Sequence, residues 1–149
     1  MLNYSCKKYQ ELSLDELYAI LAIRQEIFVV EQNCPYLDAD GKDQECFHIL
    51  GINAQGKLLA YTRLVPRGIS YDAYPSIGRV VVAESCRGTG EGYHLMNYSI
   101  QQCTELFDEP QVKISAQTHL EKFYNNLGFE KVGAGYLEDD IPHIAMIRS

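Results

Sequence analysis

Three consecutive valines, Val80 to Val82, are followed four residues later by a turn in which every second residue is glycine, Arg87-Gly88-Thr89-Gly90-Glu91-Gly92. Successive β-branched residues are typical of a buried strand. Alternate glycines leave backbone amides open, either to a ligand or to close packing. A helix that begins at such a turn also favours an anion at its first amides.

The segments around this turn predict a strand–helix–strand unit. Ile77 to Val82 forms the first strand, and apolar residues recur at helical spacing from Tyr93 to Phe107. Val112 to Ala116 has the pattern of the second strand. Two strands joined by a helix in this way lie parallel, with a right-handed crossover.

Patterns on either side extend this unit to a mixed sheet with helices on its faces, an α/β (α+β) fold. Ser13 and Glu16 form a capping box, and the helix that it begins is predicted to bury Leu14, Leu17, Tyr18, Leu21 and Phe28 and to end near Val29. The remaining predicted elements are an edge strand (3–8), a hairpin (47–52 and 58–64), a short helix ended by Gly128 and two last strands (130–136 and 143–148). The length fits one domain, 1–149.

Charge and composition exclude several classes of function. The formal net charge is −7, so the chain lacks the positive field that attracts DNA or RNA. No stretch has the length of a membrane span, and the polar N-terminus does not have the pattern of a signal peptide. Five cysteines without a C-x-x-C pair indicate reduced thiols in a cytoplasmic protein. Whether the protein forms a homodimer is left open.

The glycine turn does not match the standard nucleotide motifs. The G-x-G-x-x-G fingerprint fails in both registers, because Tyr93 and Leu95 occupy its last position. No Gly-Lys-Ser/Thr sequence completes a P-loop. The pattern R-x-x-G-x-G remains, in which an arginine adds a charged fork for phosphate. Tight strand-to-helix packing explains the glycines equally well.

A second motif follows about thirty residues later, Phe123-Tyr124-Asn125-Asn126-Leu127-Gly128-Phe129. R-x-x-G-x-G followed by F-Y-x-x-x-G-F resembles the GNAT superfamily of acyl-CoA-dependent N-acetyltransferases. Further segments are similar to its ElaA-type subgroup, so the resemblance covers nearly the whole chain: 28–36, 48–51, 77–80 and 141–144.

The resemblance implies a GNAT-type sheet, mostly antiparallel with a central parallel pair that splays apart to hold the cofactor, acetyl-CoA. Val80, Val81 and Val82 would pair with the pantetheine arm, and Arg87, Gly88, Thr89, Gly90, Glu91 and Gly92 would wrap the pyrophosphate. Gln117 would contact the cofactor, although the family often has Asn there, and Ala where this chain has Leu120. Tyr124 matches the proposed general acid, which protonates the departing CoA thiolate.

The general base is not implied by any matching residue. Many family members carry a carboxylate on the strand before the glycines, where this chain has Arg79, which itself should need a carboxylate partner. The base must come from elsewhere, act through water, or be unnecessary if the amine arrives deprotonated. Candidates for binding the acceptor are Glu31, His48 and His143, since a carboxylate grips an ammonium group and imidazole moves protons near neutral pH.

The acidic loop 38–45 is not a calcium site, because a ligand loop centred on Gly41 would begin at Tyr36 and end at Phe47. No metal site is expected, and the loop is instead predicted to be an acidic lid over the substrate or a solvated segment. The sequence thus predicts an enzyme that moves an acetyl group from acetyl-CoA to a primary amine. The alternative is a non-catalytic acyl-CoA-binding module, which has no use for a general acid at Tyr124.

Overall fold

The strand–helix–strand unit around the glycine turn lies at the centre of a seven-stranded sheet in the computed structural model, which describes residues 1–149. The elements in chain order are β1 (Asn3–Lys8), α1 (Leu14–Arg24), β2 (Phe47–Ile52), β3 (Leu58–Val65), β4 (Ser76–Val82), α2 (Glu91–Phe107), β5 (Val112–Gln117), α3 (Glu121–Asn125), β6 (Phe129–Glu138) and β7 (Ile141–Arg148). A π-helical segment, Gln25–Glu31, continues α1. Short 3-10 turns occupy Tyr9–Glu11, Asp43–Glu45, Glu84–Cys86 and Thr118–Leu120.

The sheet confirms the predicted fold class. Its strand order is β1-β2-β3-β4-β5-β7-β6, and every pairing is antiparallel except β4 with β5. Side chains of β2 and β3 alternate between two apolar clusters on opposite faces. Helix α2 packs against one cluster through Leu95 and Met96, and α1 packs against the other through Ile20 and Ile23.

The buried face of α1 differs from the predicted one. Leu14 and Tyr18 are exposed, whereas Ile20, Ile23 and the charged Arg24 are buried. Seven consecutive residues from position 17 to 23 are apolar, so the helical period alone does not distinguish one face from another. The orientation follows from Arg24, whose guanidinium is fully buried among carboxylates.

A bulge in β4 marks the point where the two parallel strands separate. Tyr61 pairs with Val81 and Arg63 pairs with Gly78, so two β4 residues stand opposite a single β3 residue. One of them, Arg79, has a left-handed backbone with φ of 50°, which is uncommon for a residue with a side chain. The pairing of β4 with β5 is limited to Ser76 with Lys113. Beyond that pair the edge of β4 faces an open gap.

The loop between α1 and β2 is held by ion pairs, which corrects the prediction of an acidic lid or solvated segment. Arg24 donates to Asp38 and Asp43, each at 2.8 Å. Arg63 binds both oxygens of Asp40 at 2.8 Å and also contacts Asp43 at 2.9 Å. The predicted carboxylate partner of Arg79 is Asp38, also at 2.8 Å. Three arginines therefore neutralise the three aspartates.

This network should make the fold sensitive to acid. Burial alone raises the pKa values of Asp40 and Asp43, but hydrogen bonds from Arg63 and Arg24 outweigh it and leave both below their usual range. A lowered carboxyl pKa contributes stability above the unfolded value of about 4 and loses it as the pH falls further. We expect the free energy of unfolding, measured with urea, to decrease progressively below about pH 4.

Asp40→Asn should lower that free energy at pH 7 by about 1–3 kcal/mol, because Arg63 loses a charged partner. The variant should also depend less on pH in the acid range. Asp72→Asn is the matched control, because Asp72 is exposed. Equal acid sensitivity of Asp40→Asn and the wild type would show that the network does not stabilise the fold.

Candidate active site

Two cavities meet in the gap between β4 and β5. The larger has a volume of about 850 Å³ and extends over the glycine turn, and the smaller has about 420 Å³ and extends under the loop 36–42. Their common wall contains Phe28, Gln32, Val80, Gln117 and Tyr124. A reaction between two bound molecules is thus possible at this wall, with one molecule in each cavity.

The glycine turn forms one end of the larger cavity. Gly88 and Gly90 have φ values of 77° and 84°, a left-handed conformation that side chains disfavour. An added Cβ at either residue would meet no atom within 4 Å, so the turn is open rather than tightly packed. Gly92 instead lies against Phe123, whose ring would be 3.4 Å from an added Cβ. Openness at the first two glycines favours ligand binding over packing.

Only some of the residues predicted to bind the cofactor line the larger cavity. Val80 and Val82 line the larger cavity together with Arg87, Gly88, Gly90, Gly92 and Gln117. Val81 points to the opposite face, where it is buried in the cluster under α1. The Glu91 carboxylate is largely buried and accepts a hydrogen bond from Tyr4, and the Thr89 hydroxyl donates to the Cys86 carbonyl. Val81, Thr89 and Glu91 therefore do not line the larger cavity, contrary to the prediction.

Arg87 and Glu31 form an ion pair across the larger cavity. The Arg87 guanidinium donates to both carboxylate oxygens, with Nη2 at 2.8 Å from Oε2, and its Nε donates to the Val82 carbonyl at 3.1 Å. The hydrogen bonds from Arg87 lower the pKa of Glu31. Glu31 lies on the glycine-turn side and does not line the smaller cavity. A phosphate that enters this site therefore competes with Glu31 for the arginine.

Tyr124 reaches the wall shared by the cavities from α3. Its side chain is packed between Phe123 and Phe129, with ring centroids 5.0 and 5.9 Å away, and the residue is only 5% exposed. Burial raises the pKa of Tyr124 to about 12. The phenol therefore keeps its proton throughout the neutral and moderately alkaline range.

The smaller cavity contains His143, with acidic residues at its edge. His143 is 7% exposed, and its Nδ1 lies 2.7 Å from the Ile141 carbonyl oxygen. Its Nε2 lies 3.5 Å from Glu138 Oε2, and Asp139 also lines the cavity. The aspartates of the loop contribute no net negative charge because arginines pair with them.

His48 lies outside both cavities. It is fully buried, with Nδ1 at 2.7 Å from the Tyr61 hydroxyl and Nε2 at 3.0 Å from the Asp43 carbonyl oxygen. Burial lowers the pKa of His48. Both ring nitrogens are occupied in holding β2, β3 and the loop together, so its position supports a structural role.

Several residues that line the cavities were not predicted from the sequence. Phe28 and Gln32 close the wall from the end of α1, while Arg79 and Lys42 line the smaller cavity. Glu138 belongs to the acidic turn 138–140, whose charge favours a neutral or cationic acceptor but does not show that Glu138 lies beside His143. The resemblance of 28–36 to a known family was the one signal that pointed to Phe28 and Gln32.

Comparison with known proteins decides the family. Residues 29–149 match the model of the acetyltransferase (GNAT) domain, and Protein ElaA of Escherichia coli is 41% identical over 150 residues, which is 99% of this chain and 97% of that protein. This chain belongs to the GNAT acetyltransferase family. The family match makes acyl-CoA-dependent acyl transfer its class of reaction.

Solved structures of GNAT proteins agree with this chain over its full length. The crystal structure of Escherichia coli ElaA matches with a TM-score of 0.92 at 40% identity, and an acyl-CoA N-acyltransferase from Pseudomonas aeruginosa with 0.93 at 43%; each match covers 100% of both chains. An aminoglycoside 6′-N-acetyltransferase complexed with coenzyme A shares the fold, with a TM-score of 0.72 at 15% identity over 97% of this chain and 96% of that one. None of the helices combines the length and apolar character that a membrane crossing needs.

Proposed function

We propose that this GNAT domain transfers an acetyl group from acetyl-CoA to a primary amine of a small molecule or peptide. The amine attacks the thioester directly, with no acetyl group passing through the protein. The observation that carries this proposal is the junction of the two cavities at Tyr124. One cavity holds the thioester, the other holds the amine, and a proton donor stands between them.

The larger cavity fits acetyl-CoA in shape and chemistry. Its volume of about 850 Å³ lies within the range usual for ligand pockets. The open turn of Gly88 and Gly90 presents backbone amides to a pyrophosphate, and Arg87 supplies a charged fork. The unpaired edge of β4 between Val80 and Val82 can hydrogen bond to the amide groups of the pantetheine arm. The same fold holds coenzyme A in the aminoglycoside acetyltransferase.

Tyr124 is proposed to protonate the departing thiolate. An acid with a pKa of about 12 is weak toward a thiolate in water, whose conjugate acid has a pKa of about 8.5. The same burial that protects the phenol also disfavours the charged thiolate and raises its pKa. The two groups are thereby brought closer in acidity, and proton transfer between them becomes feasible.

The acceptor is proposed to be a neutral or cationic amine. Negative charge without a cationic partner is found in the smaller cavity only at its outer edge, where Asp139 and Glu138 lie. Since the loop aspartates are neutralised, this edge alone supplies attraction for an ammonium group.

Acetyl-CoA consumption should therefore depend on acceptor charge. We expect a panel of polyamines, aminoglycosides, amino acids and peptides to show turnover for neutral or cationic members. The apparent KM of a cationic acceptor should rise with salt, because salt screens exposed charges. Turnover of anionic acceptors alone would contradict the proposal, and saturable acetyl-CoA binding without turnover of any acceptor would favour the non-catalytic module.

A further inference from the structure

The smaller cavity, the acceptor cavity of the proposed reaction, contains a proton acceptor at His143, one of the predicted acceptor-binding residues. His143 donates from Nδ1 to the Ile141 carbonyl oxygen at 2.7 Å, and only a protonated nitrogen can do so. In the neutral imidazole, Nε2 is consequently the nitrogen without a proton. His143 lines the cavity, and Nε2 is the ring nitrogen that can accept a proton there.

Glu138 stands next to this nitrogen. Its Oε2 lies 3.5 Å from Nε2, too far for a good hydrogen bond, while its Oε1 accepts a long hydrogen bond from Ser115 at 3.4 Å. When the imidazole is neutral, two hydrogen-bond acceptors thus face each other. The His143 side chain, which carries Nε2, is only 9% exposed.

Neighbouring strands fix the imidazole in place. His143 pairs with Gln117 on β5 and with Tyr136 on β6, and the Tyr136 ring stacks on the imidazole at 6.2 Å between centroids. Directly opposite residues point to the same face of a sheet. Gln117 itself lies in the wall shared by the two cavities. The imidazole is therefore held on the face where the amine must meet the thioester.

We propose that Glu138 and His143 form the amine-docking and proton-accepting pair of the acceptor cavity, an inference that rests on the proposed acyl transfer. A primary ammonium has three N–H donors, so it can donate to Nε2 and to Oε2 at once. The carboxylate attracts the positive charge, and the imidazole takes one proton. This pair supplies the base that the β4 strand lacks.

Protons and bonds balance in the proposed reaction. His143 Nε2 removes one proton from the ammonium, the freed nitrogen lone pair forms a C–N bond to the thioester carbon, and the C–S bond then breaks. Tyr124 gives its proton to the sulfur and recovers one from the nitrogen through water. The nitrogen keeps its third proton as the amide N–H, and His143 releases its proton to solvent.

Ammonium docking is testable by NMR without acetyl-CoA. Ethylammonium chloride should move the His143 Nε2 resonance of ¹⁵N-histidine-labelled protein along a saturable curve. Tetramethylammonium chloride, at the same concentration, should leave it in place, since that ion carries the charge but has no N–H donor. Glu138→Gln should shift the ethylammonium curve to about tenfold higher concentration, whereas Glu130→Gln, at an exposed site on the same strand, should leave it unchanged. Equal responses to the two ions, or none to either, would overturn the docking site.

Proton transfer is tested by kinetics on the best acceptor of the panel. His143→Asn retains an N–H near the position of Nδ1 for Ile141 but has no basic nitrogen, and kcat should fall by about 10²-fold. Glu138→Gln should raise the acceptor KM by about tenfold. His94→Asn, at an exposed histidine on α2, should match the wild type. Wild-type kcat in a folded His143→Asn would overturn the base. If the wild type acetylates no acceptor, acyl transfer and its base both fail, and the NMR result alone decides the docking site.

Discussion

Tyr124→Phe should lower turnover by about 10²-fold on a good acceptor, which is the lower edge of the range for general acid catalysis. The substitution keeps the ring and its packing against Phe123 and Phe129 and removes only the hydroxyl. Burial is the only cause acting on the phenol pKa, with no hydrogen bond contributing. Folding and CoA affinity should therefore change little, and the loss should appear in kcat measured by thiol release.

The pH dependence of the wild type checks the same assignment. Because the pKa of Tyr124 is raised to about 12, the phenol stays protonated below that pH, and its ionisation should not reduce kcat up to about pH 10. Full turnover in Tyr124→Phe, with chemistry shown to limit the rate, would make Tyr124 a packing residue.

Gly90→Val should remove most of the stabilisation that acetyl-CoA gives the wild type. A ligand at a hundredfold excess over its Kd stabilises the folded state by about 2.7 kcal/mol. Valine at φ of 84° is strained, and its side chain would project into the open space at the turn, where we propose that the pyrophosphate binds. The measurement is urea unfolding with and without acetyl-CoA, supported by calorimetric titration.

Gly56→Val provides a matched control for backbone strain. Gly56 has φ of 81° and also has open space around it, but it lies in the turn between β2 and β3, away from both cavities. Both variants should lose similar stability without ligand, and only Gly90→Val should lose the response to acetyl-CoA. Equal responses to acetyl-CoA in the two variants would remove the glycine turn from the cofactor site.

The central unit of the fold could be predicted because its signals are local. The valine strand, the glycine turn and the helix from Tyr93 to Phe107 occur in sequence order, and their parallel crossover follows from chirality. The second motif identified Tyr124, and the structure shows this tyrosine buried at the wall shared by the two cavities. Sequence patterns of this kind predict site residues correctly where residues that are close in the chain are also close in space.

The parts that were missed depend on contacts between distant residues. Asp38 and Asp40 looked like free surface charge, because their partners Arg63 and Arg79 lie on strands more than twenty residues away. Glu138 and His143 lie close in sequence, across the predicted last hairpin, but the strand pattern alone does not show that Glu138 Oε2 lies 3.5 Å from His143 Nε2. The pKa of Tyr124 likewise depends on burial by the whole fold.

The most direct test of acetyl transfer is a mass balance on the wild type with acetyl-CoA and its best acceptor. CoA thiol should appear in equal amount to acetylated amine, both should require the amine, and the intact protein should carry no acetyl group. Thiol release without acetylated amine, or an acetylated protein that passes its group to the amine, would contradict direct transfer.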